Sequence, residues 1–218
     1  MRRVYHNDMN ISPQGSSFDF PSRGPRARTA RLMLETAVGL MQAGVVPSVT
    51  EVAEKAGVSR ATAYRYFPSQ AALVHAVVDR ALGPILDWSS KSGDAEKRVE
   101  ALLRTSLPRI AEFEATFRAA LKHSLEQSLQ RRAGIDGGEP PFTRGHRIDL
   151  LRSALSPLEG RLGHRELDRL AKALSLVFGV EALVVLGDIW RADASETRDV
   201  ALWTARALVR AAVEEAKA

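Results

Sequence analysis

Arg60, Thr62, Tyr64, Arg65 and Tyr66 place guanidinium, hydroxyl and phenol groups within two turns of chain. An Arg can bridge the O6 and N7 atoms of guanine, and Thr and Tyr hydroxyls suit phosphate oxygens or a thymine methyl. No other cluster offers comparable chemistry. His6, His75, His123, His146 and His164 stand far apart in sequence without a metal spacing such as H-E-x-x-H, so they read as surface or capping residues. Gly137-Gly138 lacks the Lys of a phosphate loop, and no G-x-S-x-G turn is present. Glu112 and Glu114, two apart, point to different helix faces. The expectation is therefore no catalytic residue, no metal ligand and no cofactor.

The elements that position the five side chains are legible from Ser48 onward. Ser48 followed by Glu51 is a capping box, and Val52, Ala53 and Ala56 share one helix face. Gly57 stops that helix, because only Gly enters the left-handed region without a Cβ penalty. Val58 plugs the core under the turn and Ser59 caps a second helix over 60–67, with Ala63 and Phe67 facing inward. Pro68 ends it, and Ser69 caps the next helix through Leu73. Two short helices at a tight turn, the second polar and exposed, form a helix-turn-helix.

The run VAEKAGVSRATAYRYFPSQAAL resembles the DNA-binding module of the TetR (tetracycline-repressor-like) family of bacterial transcription regulators. The resemblance implies backbone contacts to DNA from Thr62 and Tyr64, and base or phosphate contacts from Arg60, Arg65 and Tyr66. Gln70 stands where the family often has Lys; Gln can hydrogen-bond a phosphate but brings no charge. With Ser48, Ser59, Arg26 and Arg28, these complete the candidate DNA contacts. The resemblance further implies a small-molecule effector held among the helices of a C-terminal domain, and a homodimer.

Charge agrees with a nucleic-acid partner at that end. Residues 1–68 carry nine Lys/Arg against five Asp/Glu, a surplus of four, whereas the remaining 150 are nearly balanced, with 22 against 21. Such a surplus attracts phosphate and makes affinity fall with salt. Cysteine is absent, which removes disulfides and thiolate metal sites. Residues 1–25 read as a disordered basic arm: they are polar, lack the apolar core of a secretory signal, and carry Asp8 and Asp19. Arg23, Arg26, Arg28 and Arg31 could enter a minor groove, or form a generic basic tail. The expected location is cytoplasmic, with no membrane partner.

The expected fold is all-α: a three-helix DNA-binding domain at 26–70 and a helical ligand-binding and dimerisation domain at 71–218. A first helix over 26–43 buries Ala30, Leu34, Ala37, Val38 and Met41. A coupling helix over 71–88 is kinked or broken at Gly83-Pro84. Asp94 caps a helix to Leu107, Pro108 starts another to about Arg131, 133–145 is a loop, and a short helix spans 147–155. Residues 173–187 form a helix that is apolar nearly all round but too short to span a bilayer. Asp193–Ala216 is a last amphipathic helix, with Val200, Trp203, Ala207, Leu208 and Ala211 along one side. The last two helices, over about 165–187 and 193–216, are expected to pair across a twofold axis, which sets two recognition helices one DNA turn apart on a palindrome. Trp88, Phe113, Phe117, Leu121, His123 and Phe142 are the candidate effector contacts, although aromatics at helical spacing also serve as ordinary core. The reading is a sequence-specific repressor released by a small molecule. An architectural or division-control protein of the same fold, without an inducer, is the alternative.

Overall fold

A computed structural model describes residues 24–135, 142 and 145–217. The arm expected at 1–25 and most of the loop expected at 133–145 lie outside the described residues. The fold is all-α, and among the described residues there is no strand.

Four helices build the N-terminal core. α1 (Pro25–Gln42) starts on Pro25, whose missing N–H falls among donors that a helix start leaves unpaired anyway. The expected capping box opens α2 (Val49–Lys55): Ser48 Oγ accepts from the Glu51 N–H at 3.2 Å, and Glu51 Oε2 accepts from the Ser48 N–H at 2.7 Å. Gly57 turns the chain at φ 66, which lets the Val58 N–H reach back to the Ala53 carbonyl at 2.9 Å. α3 (Arg60–Tyr66) and α4 (Gln70–Leu82) start on the hydroxyls of Ser59 and Ser69. Beneath them Met33, Met41, Val52, Ala63, Phe67 and Val74 are fully buried in one cluster. Each large side chain in it stabilises the fold by roughly 1.5–3 kcal/mol through lost water contact.

α4 joins this core to a second one. Leu73, Val74 and Val77 belong to the first cluster, Ala81 to the second, and Val78 packs against both. The coupling helix ends at Leu82 and a 3₁₀ turn follows over Gly83–Ile85, so the Gly-Pro pair breaks it rather than kinks it. α5 (Ala95–Glu112) then α6 (Glu114–Arg132) follow, with α7 (His146–Leu155), α8 (His164–Leu174), the short α9 (Val180–Leu183) and α10 (Ala194–Glu215). α6 reaches back to the first core, where Ala119 and Ala120 are buried beside α1 and α4.

Two expectations need correction. Pro108 does not start a helix but lies inside α5. A proline there costs about 3 kcal/mol or more through a lost hydrogen bond and ring crowding. Leu107 and Ile110, buried on either side of it, hold the turn in place, and the break falls at Phe113. Nor is 173–187 one buried helix. α8 ends at Leu174, a turn crosses 175–179, and α9 runs into a π-helical turn over Val184–Ile189. Gly179 has φ 148, and a Cβ there would overlap the Arg147 guanidinium. Arg147 needs that space to donate to Glu181 at 2.6 Å and to the Ser175 carbonyl at 3.0 Å. Periodicity could not show this, because an apolar run reads the same whether or not one glycine interrupts it.

Candidate DNA interface and effector cavity

The helix-turn-helix holds α3 outward. Ala63 and Phe67, both fully buried, anchor its inner face. Arg60 and Arg65 are exposed, and Tyr64 keeps 43% of its surface in water. Thr62 is half-buried, and Tyr66 is half-buried against the N-terminal core. On α1, Arg26, Arg28 and Arg31 are exposed at its start. The candidate contacts therefore divide into side chains that reach solvent and side chains already engaged.

Ser48, Ser59 and Gln70 are in the second group. Ser48 is committed to its capping box. Ser59 Oγ accepts from the Thr62 N–H at 3.3 Å and donates to Thr62 Oγ1 at 2.9 Å. The Gln70 amide donates to the Pro47 carbonyl at 3.1 Å and approaches that of Val46 at 3.4 Å. These bonds tie the start of α4 to the segment ahead of α2, so the turn and α4 move as one piece.

The six candidate effector contacts are not brought together. Phe117 and Phe142 line a cavity of about 90 Å³ where α4, α5, α6 and α7 meet the turn at Phe178-Gly179. His123 is buried, with its ring 6.2 Å from that of Phe142. Trp88 and Leu121 pack against the C-terminal core, and Phe113 lies under the Arg109 guanidinium at 4.7 Å. Pockets for drug-sized ligands run to roughly 300–1,000 Å³, so this cavity must widen to admit one. Val78 and Leu82 of α4 form part of its wall, so widening presses on the coupling helix.

His146, which lines the cavity, also meets two polar groups of α4, Asp79 and His75. Asp79 Oδ1 lies 2.7 Å from His146 Nε2 and 3.4 Å from His75 Nδ1. Burial pushes the Asp79 carboxyl up, but the hydrogen bond from His146 and the two imidazoles outweigh it and hold it at about 2. The hydrogen bond to Asp79 raises the pKa of His146 against the opposing effect of burial, with Asp149 adding a smaller attraction. The histidines are thus not all isolated. One signal was present in sequence, since His75 and Asp79 are four apart on a helix; the approach of His146 was not.

Among the described residues no helix is long and apolar enough to cross a membrane. Large apolar side chains of the C-terminal region nevertheless stay in water: Leu176 is 75% exposed, Ile189 70%, Trp190 74% and Trp203 67%. α10 buries Ala201, Leu202, Ala205 and Val209 on its inner side, so Val200 and Trp203 stay outside, next to Asp193, Glu196 and Asp199.

Residues 34–77 match the family model described as bacterial regulatory proteins, tetR family. No curated protein matches the chain. Among solved structures, the chain is similar to a tetR-family transcriptional regulator from Streptomyces coelicolor, at 20% identity and a TM-score of 0.58, over 87% of this chain and 85% of that one. It is also similar to a TetR transcriptional regulator from Rhodococcus sp. RHA1, at 18% identity and a TM-score of 0.53, over 85% of this chain and 97% of that one. At these identities the likeness speaks for the fold.

Proposed function

We propose that the chain, whose residues 34–77 match the tetR-family DNA-binding module, works as a cytoplasmic homodimeric repressor of that family, released from a palindromic operator by a small molecule. The observation that carries this reading is the outward face of α3, with Arg60, Tyr64 and Arg65 exposed on a helix anchored by Ala63 and Phe67. Arg60 and Arg65 read bases, while Thr62, Tyr64 and Tyr66 hold phosphates. Arg26 and Arg28 add charge from α1, and Ser48, Ser59 and Gln70 serve by fixing the module's shape.

One helix-turn-helix per chain covers half a site, and a twofold dimer supplies the second half. The exposed Leu176, Ile189, Trp190 and Trp203 support pairing through 165–187 and 193–216, because monomers seldom leave such a set in water. The cavity beside α4 supports an effector site. A ligand that widens it must favour the DNA-incompetent arrangement by the same factor through which it weakens operator binding.

The test is selection of bound duplexes from a random pool at moderate salt. An enriched inverted repeat is expected. Salt-sensitive binding without one would favour an architectural protein, and absence of binding would overturn the reading.

A further inference from the structure

We propose that His75, Asp79 and His146 form a site for a divalent transition-metal ion of the zinc class, and that the ion, by fastening α4 to α7, sets the position of the recognition helix. Metal binding stands on the geometry alone, whereas its effect on DNA rests on the proposed function.

The donor set comes first. Two imidazoles and a carboxylate suit zinc and its neighbours, and a catalytic or regulatory zinc commonly takes three protein ligands with water in the fourth place. One ligand atom from each residue lies within 4.8 Å of the other two. Ligands about 2.1 Å from a tetrahedral ion sit roughly 3.4 Å from each other. His75 Nδ1 and Asp79 Oδ1 are 3.4 Å apart.

The second observation is electrostatic. His75 Nδ1 is buried and makes no hydrogen bond among the described residues, although it faces a carboxylate. A cation seated between the two atoms engages the nitrogen lone pair and the carboxylate oxygen together, at a separation that is long for a direct hydrogen bond. The 2.7 Å contact of His146 with Asp79 is bridged by a proton, which the ion displaces while the carboxylate turns. The three side chains keep 18–26% of their surface exposed, enough for an ion and a water to enter. Phe142 packs edge-on to the His75 ring at 5.8 Å and shields its other side.

Position gives the ion leverage. His75 and Asp79 lie on α4, whose start is bonded through Gln70 to the segment ahead of α2, whereas His146 opens α7 in the other half. An ion at this junction fixes the angle between the DNA-binding module and the cavity wall.

The experiment uses the full chain stripped with a chelator and titrated with Zn²⁺ against a chromophoric competitor. One ion per chain is expected, and Co²⁺ in its place should give visible d–d absorption. His75→Gln and His146→Gln should weaken binding by more than the roughly 10–100-fold that loss of a mere outer-shell partner costs. The exposed His164→Gln should leave it unchanged, and circular dichroism confirms that each variant is folded. No Zn²⁺ uptake, or equal uptake in the variants, overturns the site. Affinity for a selected duplex, with Zn²⁺ and then with chelator, should change about 5–150-fold in the wild type and not in His146→Gln. Zn²⁺ held by the trio with unchanged DNA affinity overturns the coupling. Zn²⁺ uptake without DNA binding under any condition sinks the DNA-binding reading and leaves the site standing.

Discussion

In the helix-turn-helix, α2, α3 and α4 each begin directly after a capping serine, whereas in the C-terminal half only α5 and α10 carry a side-chain cap, from Asp94 and Asp193, and α6, α7, α8 and α9 begin without one. The first region closes its backbone locally and turns its polar side chains outward. The second is held by distant partners, such as Arg118 bridging to Asp188 at 2.7 and 2.8 Å and Arg147 to Glu181. It also leaves tryptophans in water. A module that must present one fixed face to DNA gains from local closure. A region that must respond to an effector or a second subunit gains from contacts that can be exchanged.

That contrast can be broken experimentally. Phe67→Ala empties the centre of the first core and should cost about 3–5 kcal/mol, read as loss of the module's unfolding transition in denaturant. Trp203→Glu should leave each chain folded but weaken the dimer, lowering its dissociation free energy by about 2 kcal/mol or more, seen by sedimentation. A Trp203→Glu protein that is still a dimer would remove the assigned interface. Arg60→Ala or Arg65→Ala should each cost about 1–3 kcal/mol of operator affinity and relax preference at one base pair, while Tyr64→Phe should lose only about 0.5–1.5 kcal/mol. Wild-type affinity in all three would show that α3 does not read DNA. Ser48→Ala should lower stability by about 1 kcal/mol, and equal stability would mean that the cap contributes little to local closure.

The smallest expected effect sharpens the other side. His146 has a raised folded pKa, so its link to Asp79 contributes fully below the ordinary 6.5 and is lost as pH rises through the folded value. Asp79 has a lowered one, so its contribution is present above 3.8 and is lost as pH falls toward about 2. Without metal, the α4–α7 tie is thus strongest between 3.8 and 6.5. Melting temperatures across pH should show an alkaline decline that His146→Gln flattens.

The legible parts were those written in neighbouring residues. Ser48 with Glu51, Ser59 and Ser69 located the starts of α2, α3 and α4 to within a residue, and Ala63 with Phe67 identified the inner face of α3, whereas the coupling helix ends at Leu82 rather than near Trp88. Less was legible where two signals competed. Pro108 is a strong helix breaker locally, yet buried neighbours on α5 carried the helix through it. The apolar run at 173–187 promised one helix, and Gly179, accommodating Arg147, divided it. Phe117 and Phe142 meet at the cavity, but Trp88 lies beyond the helix end, Phe113 sits at the break between α5 and α6, and Leu121 packs into the C-terminal core, so none of the three lines it.

By itself, the sequence determined an all-α chain with a helix-turn-helix near its N-terminus and a polar, basic α3, because caps, turns and periodicity act over a few residues. Only the tertiary structure decided that Gln70 is drawn inward to Pro47, that α10 turns Ala201, Leu202, Ala205 and Val209 rather than Val200 and Trp203 to the core, and that His146 meets Asp79 across 67 positions of chain. Those outcomes depend on which helices pack together, and packing energies depend on side chains distant in sequence.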